Sequence, residues 1–407
     1  MADSRPSICV VGAGITGLVC AWELARKGFS VQVVEQHSTS GGMLASMRIG
    51  HEYIELLPHH IRKNDRSMIS LLKELGLQDD LAWFDSYWYG RAGRKKLGYL
   101  ERGFHCLISA LSQEITDSGG LIHYGYTAMD ISQCTPGDIL AASSINTAST
   151  SSPSSSSSSA SSSSVSTPVS AASAASSFSE NSGLRYQISC VLADCTTVTL
   201  EADTVLFTAS CRNFAHITHN LSIPTDYRDA LMDVTYKANM CLLLLMKSQF
   251  TGCFSRPITF ESPFQRMIEH TNLVGSRRYG GHVLYLSGSF NTSNPLWTQS
   301  DAEVFHAFFQ NLQLINPAIV RSDILNWRLT RNRYATPTTR PGNQLLSPLP
   351  GLFVCSLAMV DDGGEDGSEY RMDPCVSLAR QTARLIEQQF PEPLAKTAGS
   401  ATIDRIF

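Results

Sequence analysis

Apolar residues recur along this chain in two rhythms that mark out its elements. Ile8 to Val11 and Val31 to Val34 are unbroken apolar, β-branched runs, the mark of parallel strands buried on both faces. Between them Gly14, Gly17, Leu18, Ala21, Leu24 and Ala25 repeat at helical spacing, and Gly28 stands where that helix should stop. "MISLLKELGL" (68–77) and "CLISALSQEI" (106–115) predict two further helices, the first closed by Gly76. "GLIHYGYTAMDIS" (120–132) reads as strand, and 186–209 as two or three more. "KANMCLLLLMK" and "HVLYLSGSF" predict strands, and "DAEVFHAFFQNLQLI" (301–315) a helix with Asp301 near its start. "GLFVCSLAM" (351–359) predicts a late buried strand, followed by a glycine- and acid-rich loop. The last helix, "PCVSLARQTARLIEQQF", begins at Asp373-Pro374, a capping residue and a first-turn proline.

Strand, helix and strand over residues 8–35 form a βαβ unit, and its glycines have mechanical tasks. Gly12 permits the tight turn, Gly14 lets a diphosphate approach the backbone, and Gly17 lets helix and strand pack closely. The helix start offers free N–H groups and a positive dipole end. Glu35, ending the second strand, is placed to accept hydrogen bonds from an adenosine ribose. Gly41-Gly42 follows as a second site of close backbone approach.

Composition sharpens this. Of 407 residues, 43% are hydrophobic and only 17% charged, and a Ser-, Ala-, Thr- and Pro-rich block (143–180) explains part of the deficit. That block cannot bury enough apolar area to offset chain entropy, so a disordered insertion is expected. A net charge of −4 argues against a general nucleic-acid binder. Eleven scattered cysteines without a C-x-x-C pair read as reduced thiols. No window approaches the roughly 18 apolar residues of a membrane span. The fingerprint's early position leaves no room for a cleaved signal, and a cytoplasmic location is expected.

The extended pattern G-x-G-x-x-G-L…E…G-G, together with 53–84, "EADTVLFTAS" (201–210), "PFQRMIEHTNLVGSRRYGGHVLYLSGSF" (263–290) and "RYATP" (333–337), resembles the NAD(P)/FAD-dependent oxidoreductase family related to protoporphyrinogen oxidase and the flavin amine oxidases. The resemblance implies an α/β fold: a Rossmann-like FAD-binding domain of the amine oxidase type with a discontinuous α+β substrate domain. The cofactor domain would comprise 1–54, 100–142, 181–214 and 345–392, with the 143–180 block inserted within it, the substrate domain 55–99 and 215–344, and 393–407 would be a tail. The resemblance also implies FAD contacts at Gly12, Ala13, Gly14, Ile15, Thr16, Gly17, Glu35, Gly41, Gly42, Met43, Ala128, Met372, Asp373, Cys375 and Val376. This chain departs from the pattern in three places. Glu55-Leu56-Leu57-Pro58 precedes the histidines where relatives often carry Asp-x-Gly, Asp373 stands for Asn, and Ala379 for Gly.

A flavin carries out the redox step itself, so few catalytic side chains are needed. The candidates are His59 and His60, as flavin contacts or acid/base groups, Lys237 beside Tyr236, and Tyr334. Arg277-Arg278 is basic enough to hold an acidic substrate. No zinc or other metal motif is present. The expected activity is hydride transfer from a hydrophobic, amine or polyene-type small molecule to flavin N5, with dioxygen or another acceptor reoxidising the flavin. The alternatives are a flavin-dependent isomerase resembling UDP-galactopyranose mutase, using Arg277, Arg278, Tyr279 and Tyr285, and a non-enzymatic flavin-binding scaffold.

Overall fold

The first apolar run becomes the middle strand of a five-stranded parallel sheet. In the structure, a computed structural model describing residues 5–134, 185–341, 347–360 and 371–390, the strand order is Leu352–Val354, Thr204–Phe207, Ser7–Val11, Ser30–Glu35, Leu121–Tyr124. The neighbours run parallel throughout. Alternation sorts the side chains to two cores. Ile8, Val10, Val31, Val33, Leu206 and Phe353 face the helices Ile15–Ala25, His105–Asp117 and Met372–Gln389. Cys9, Val11, Val34, Val205, Phe207 and Val354 face a three-stranded antiparallel sheet, Thr127–Cys134, Arg185–Val191 and Thr197–Ala202. Both faces are buried, which is why these strands read as unbroken apolar runs.

One expected strand divides. "GLIHYGYTAMDIS" breaks at Gly125, whose φ of 76° favours glycine. Leu121–Tyr124 joins the parallel sheet, and Thr127–Cys134 turns into the antiparallel one. The late strand is also shorter than expected. It spans Leu352–Val354, then gives way to a turn of 3-10 helix, Leu357–Met359. The serine-rich block, the acidic loop 361–370 and the tail lie outside the described residues. The strands flanking the block pair directly, Cys134 opposite Arg185.

A second, antiparallel sheet has the order Ser255–Pro257, Arg266–Glu269, His282–Phe290, Tyr236–Met246, Ile324–Pro337. Its fourth strand, which holds the apolar run at 241–246, is again buried on both faces. Met240, Leu242, Leu244 and Met246 pack against the helix Asp301–Ile315. Cys241, Leu243 and Leu245 pack toward Ile54, Leu57 and Trp88. The helix starts at a capping box: Ser300 Oγ accepts from the Glu303 amide, and the Ser300 amide donates to Glu303 Oε2 at 2.8 Å.

Candidate functional site

A cleft of about 1070 Å3 runs along the C-terminal edge of the parallel sheet, where open α/β sheets bind ligands. Gly12, Gly14, Ile15, Thr16, Glu35, Gly41, Gly42 and Met43 line one wall. The turn after the first strand is tight because Gly12 adopts φ 108°, and its amide donates to the Val34 carbonyl at 2.8 Å. Gly17 sits against that turn. A β-carbon there would lie 1.9 Å from the Gly12 carbonyl oxygen. Gly14, which caps the first helix, differs. Its φ of −72° suits any residue, and a β-carbon there would meet nothing within 4 Å. The open space beside Gly14 belongs to the cleft, so packing within the fold does not itself require a glycine there. Gly41 bridges to Gly14, and its amide donates to the Ala13 carbonyl at 2.8 Å, bringing the second glycine pair over the same spot.

Glu35 is 6% exposed. Burial pushes its carboxyl up, but hydrogen bonds from the His37 ring, the His37 amide and the Ala13 amide outweigh this and hold it below the usual range. Oε2 accepts from the Ala13 amide at 2.8 Å, and Oε1 from the His37 amide and Nδ1 at 2.9 Å each. Two carboxylate oxygens offer about four lone-pair positions, so room remains for a ligand hydroxyl. His37 was not anticipated; a histidine two residues after the strand-end acid is its only signal in the sequence.

The other walls come from distant segments. Ala128, Phe207 to Ser210, Asn213, His216 and Tyr236 line one side, Arg328 to Tyr334 another, and Ser356, Leu357, Arg371, Met372 and Cys375 close a third. His59 lines the cleft while 3% exposed. Its Nδ1 donates to the Leu57 carbonyl at 2.9 Å, which fixes the proton on Nδ1 and the orientation of the ring. The Tyr334 ring packs edge-on against Tyr236, centroids 5.2 Å apart.

Six of the expected site residues are not brought to the cleft lining. Ala13 is wholly buried, and its amide is taken by Glu35. Gly17 packs helix on strand. Val376 faces the helical core. Asp373 accepts from the Met68 amide at 2.8 Å, supplying the helix Arg66–Glu74 with a partner that its own capping residue Asp65 does not provide. Asp65 is instead engaged by Arg371 at 3.0 Å and by the Arg62 amide at 2.7 Å. The carboxylate that departs from the family pattern is therefore a helix cap. Lys237 is exposed: it alternates with Tyr236 and points away from the cleft.

His60 packs between Phe254, Tyr99 and His270 with ring centroids 4.9, 6.0 and 5.6 Å away. Among the described residues neither of its ring nitrogens has a hydrogen-bond partner. Burial brings its pKa down to about 3. Nearby, Glu55 is 1% exposed and accepts from the Tyr99 hydroxyl at 2.7 Å and the Phe104 amide at 2.6 Å. Burial still raises its pKa against these bonds. Arg278 donates to Glu52 at 2.8 Å, and Tyr285 donates to the Glu55 carbonyl at 2.7 Å. Arg278 and Tyr285 of the isomerase alternative are thus held in internal contacts, Tyr279 is buried, Arg277 is exposed, and none of the four lines the cleft. Among the described residues no group of three or more His, Cys, Asp or Glu is placed to hold a metal ion.

Fold and glycine turn together define a Rossmann-like dinucleotide-binding α/β protein carrying a second, antiparallel sheet over the cleft. Residues 10–75 match the family described as NAD(P)-binding Rossmann-like domain. The chain is 31% identical over 100 residues to coproporphyrinogen III oxidase of Propionibacterium freudenreichii subsp. freudenreichii, and 34% identical over 88 residues to a flavin-dependent L-tryptophan oxidase of Lentzea aerocolonigenes. These stretches cover 25% and 21% of this chain but only 18% and 19% of the two relatives. Over whole chains the fold is similar to a provisionally named protoporphyrinogen oxidase of Exiguobacterium sp. 255-15, with TM-score 0.67, 12% identity, and 95% and 99% of the two chains covered. It is also similar to a putrescine oxidase bound to putrescine, with TM-score 0.61, 11% identity, and 94% and 99% covered. The resemblance to NAD(P)/FAD-dependent oxidoreductases related to protoporphyrinogen oxidase and the flavin amine oxidases is therefore present in both sequence and fold.

Proposed function

We propose that the chain is an FAD-dependent oxidoreductase that takes hydride from a hydrophobic, amine or polyene-type small molecule. The observation that carries this reading is the open space at Gly14, kept clear beside a helix start in a cleft that also holds the Glu35 carboxylate and His59. Such a helix start suits a diphosphate, which accepts from main-chain N–H groups. Glu35 has capacity left for a ribose hydroxyl. Bound there, the isoalloxazine would accept hydride at N5 and pass electrons to dioxygen or another acceptor. The chain's own contribution is placement. Met43, Tyr236 and Tyr334 cover the cleft with apolar and aromatic surface, and His59 adds a polar group to the same lining.

The sheets support a division in which 1–54, 100–142, 181–214 and 345–392 carry the cofactor, and 55–99 and 215–344 carry the substrate. The test is direct. Purified protein should be yellow, release FAD on denaturation, and bleach on reduction with an amine or polyene panel or with dithionite. Colourless protein that takes up no added FAD would sink the reading. So would turnover of a sugar nucleotide by the reduced protein with no acceptor consumed.

A further inference from the structure

A second cavity, of about 420 Å3, opens away from the cleft and shares none of its lining residues. Arg62, Lys63, Lys95 and Lys96 wall it over a floor of Trp88 and Leu97. The floor is firm: Trp88 is 5% and Leu97 3% exposed. The basic groups are gathered about one indole, with the Lys95 ammonium 5.1 Å and the Arg91 and Arg266 guanidinium carbons 5.6 and 5.9 Å from the Trp88 ring centroid. The stretch "WYGRAGRKKL" (88–97) holds four cations and no acid in a chain whose net charge is −4, so the positive field is local. Asp85 stands 3.7 Å from Lys96, but both are about half exposed, and such a pair contributes little in water. Asp65, behind the wall, is buried and already engaged by Arg371 and the Arg62 amide.

Lys63, Lys95 and Lys96, exposed lysines around one cavity, repel one another, and an anion relieves them. The volume lies in the range of about 300–1,000 Å3 usual for small-molecule sites. We propose that this cavity binds a small organic anion carrying two or more phosphate or carboxylate charges. Its charged groups meet Lys63, Lys95 and Lys96, and its apolar part rests on Trp88 and Leu97. The site is independent of the flavin reading, and its test does not use flavin.

Calorimetric titration of the full chain with pyrophosphate, and separately with citrate, tests it. At least one should bind with a dissociation constant below about 1 mM at low salt, weakening as salt screens the charges. The double variant Lys95→Glu/Lys96→Glu should weaken that binding tenfold or more, and Lys63→Gln severalfold. All three lysines are exposed, so circular dichroism should show unchanged folding. Pyrophosphate alone binding marks a phosphate ester, citrate alone a polycarboxylate. Three results overturn the proposal. The first is no binding of either anion. The second is binding that the double variant leaves intact, which places the anion elsewhere. The third is binding only after Asp361, Asp362, Glu365, Asp366 and Glu369 are neutralised, which makes the chain's own acidic stretch the occupant.

Discussion

Replacing Gly14 with valine separates ligand binding from folding. The backbone at Gly14 has φ −72° and ψ 175°, extended geometry that a β-branched residue adopts readily, and a β-carbon there meets nothing within 4 Å. Gly14 caps the first helix without a side-chain bond, so the substitution should cost the fold only about 0.5–1 kcal/mol. A diphosphate, by contrast, must come within hydrogen-bond distance of the main chain at this turn, and valine stands in its way. Each charge-assisted bond is worth about 1.5–3 kcal/mol. Losing two weakens FAD binding by roughly 3–6 kcal/mol, or about 100- to 20,000-fold. Gly17→Ala should do the opposite. Its β-carbon would lie 1.9 Å from the Gly12 oxygen, forcing helix and strand apart at a cost of roughly 1–3 kcal/mol. The assay pairs flavin absorbance per chain and FAD titration by fluorescence with urea unfolding of the FAD-free protein. Full flavin occupancy in Gly14→Val, or a stability loss there equal to that of Gly17→Ala, would refute the assignment of that open space.

Three further outcomes follow from the same geometry. His60 has its pKa brought down to about 3 by burial, against about 6.5 in an unfolded chain, so the unfolded state binds more protons in between and stability falls as pH drops through that window. The slope reaches about 1.4 kcal/mol per pH unit; His60→Phe should flatten it in urea midpoints taken from about pH 7 to about pH 5, and parallel curves for the two proteins would contradict this. Asp373→Asn keeps an oxygen for the Met68 amide and should leave flavin content and stability nearly unchanged, whereas Asp373→Ala should cost about 1 kcal/mol on thermal unfolding. Lys237→Ala should leave turnover within about twofold, because the side chain is exposed and outside the cleft lining; a large loss of kcat would place it at the chemistry after all.

The parts of this fold that the sequence shows are those fixed by local sterics and by burial on both faces. Ile8–Val11, Val31–Val34 and the glycine turn between them are such elements, because period, β-branching and the positions of Gly12 and Gly17 agree within a few residues. The run at 241–246 is legible as a buried strand, but not which of its residues face the helix and which face Trp88. Much of the cleft's far wall was hidden. Arg328 to Asn332 and Asn213 and His216 carry no motif, and they reach the site through a sheet and a helix placed by long-range packing. Asp373 and His60 were misplaced for a related reason. A carboxylate near a predicted phosphate site and a histidine beside another histidine look functional until their neighbours, Met68 in one case and Phe254 in the other, are known.

The pairing of Cys134 with Arg185 has an engineering consequence. Whatever joins these two residues need only span the gap between neighbouring strands, and each doubling of a connection's length adds only about 0.6 kcal/mol of closure entropy. A fluorescent reporter or an affinity handle grafted between them should therefore leave both sheets and the glycine turn intact. The same juncture is the natural place to trim the chain when crystals are wanted.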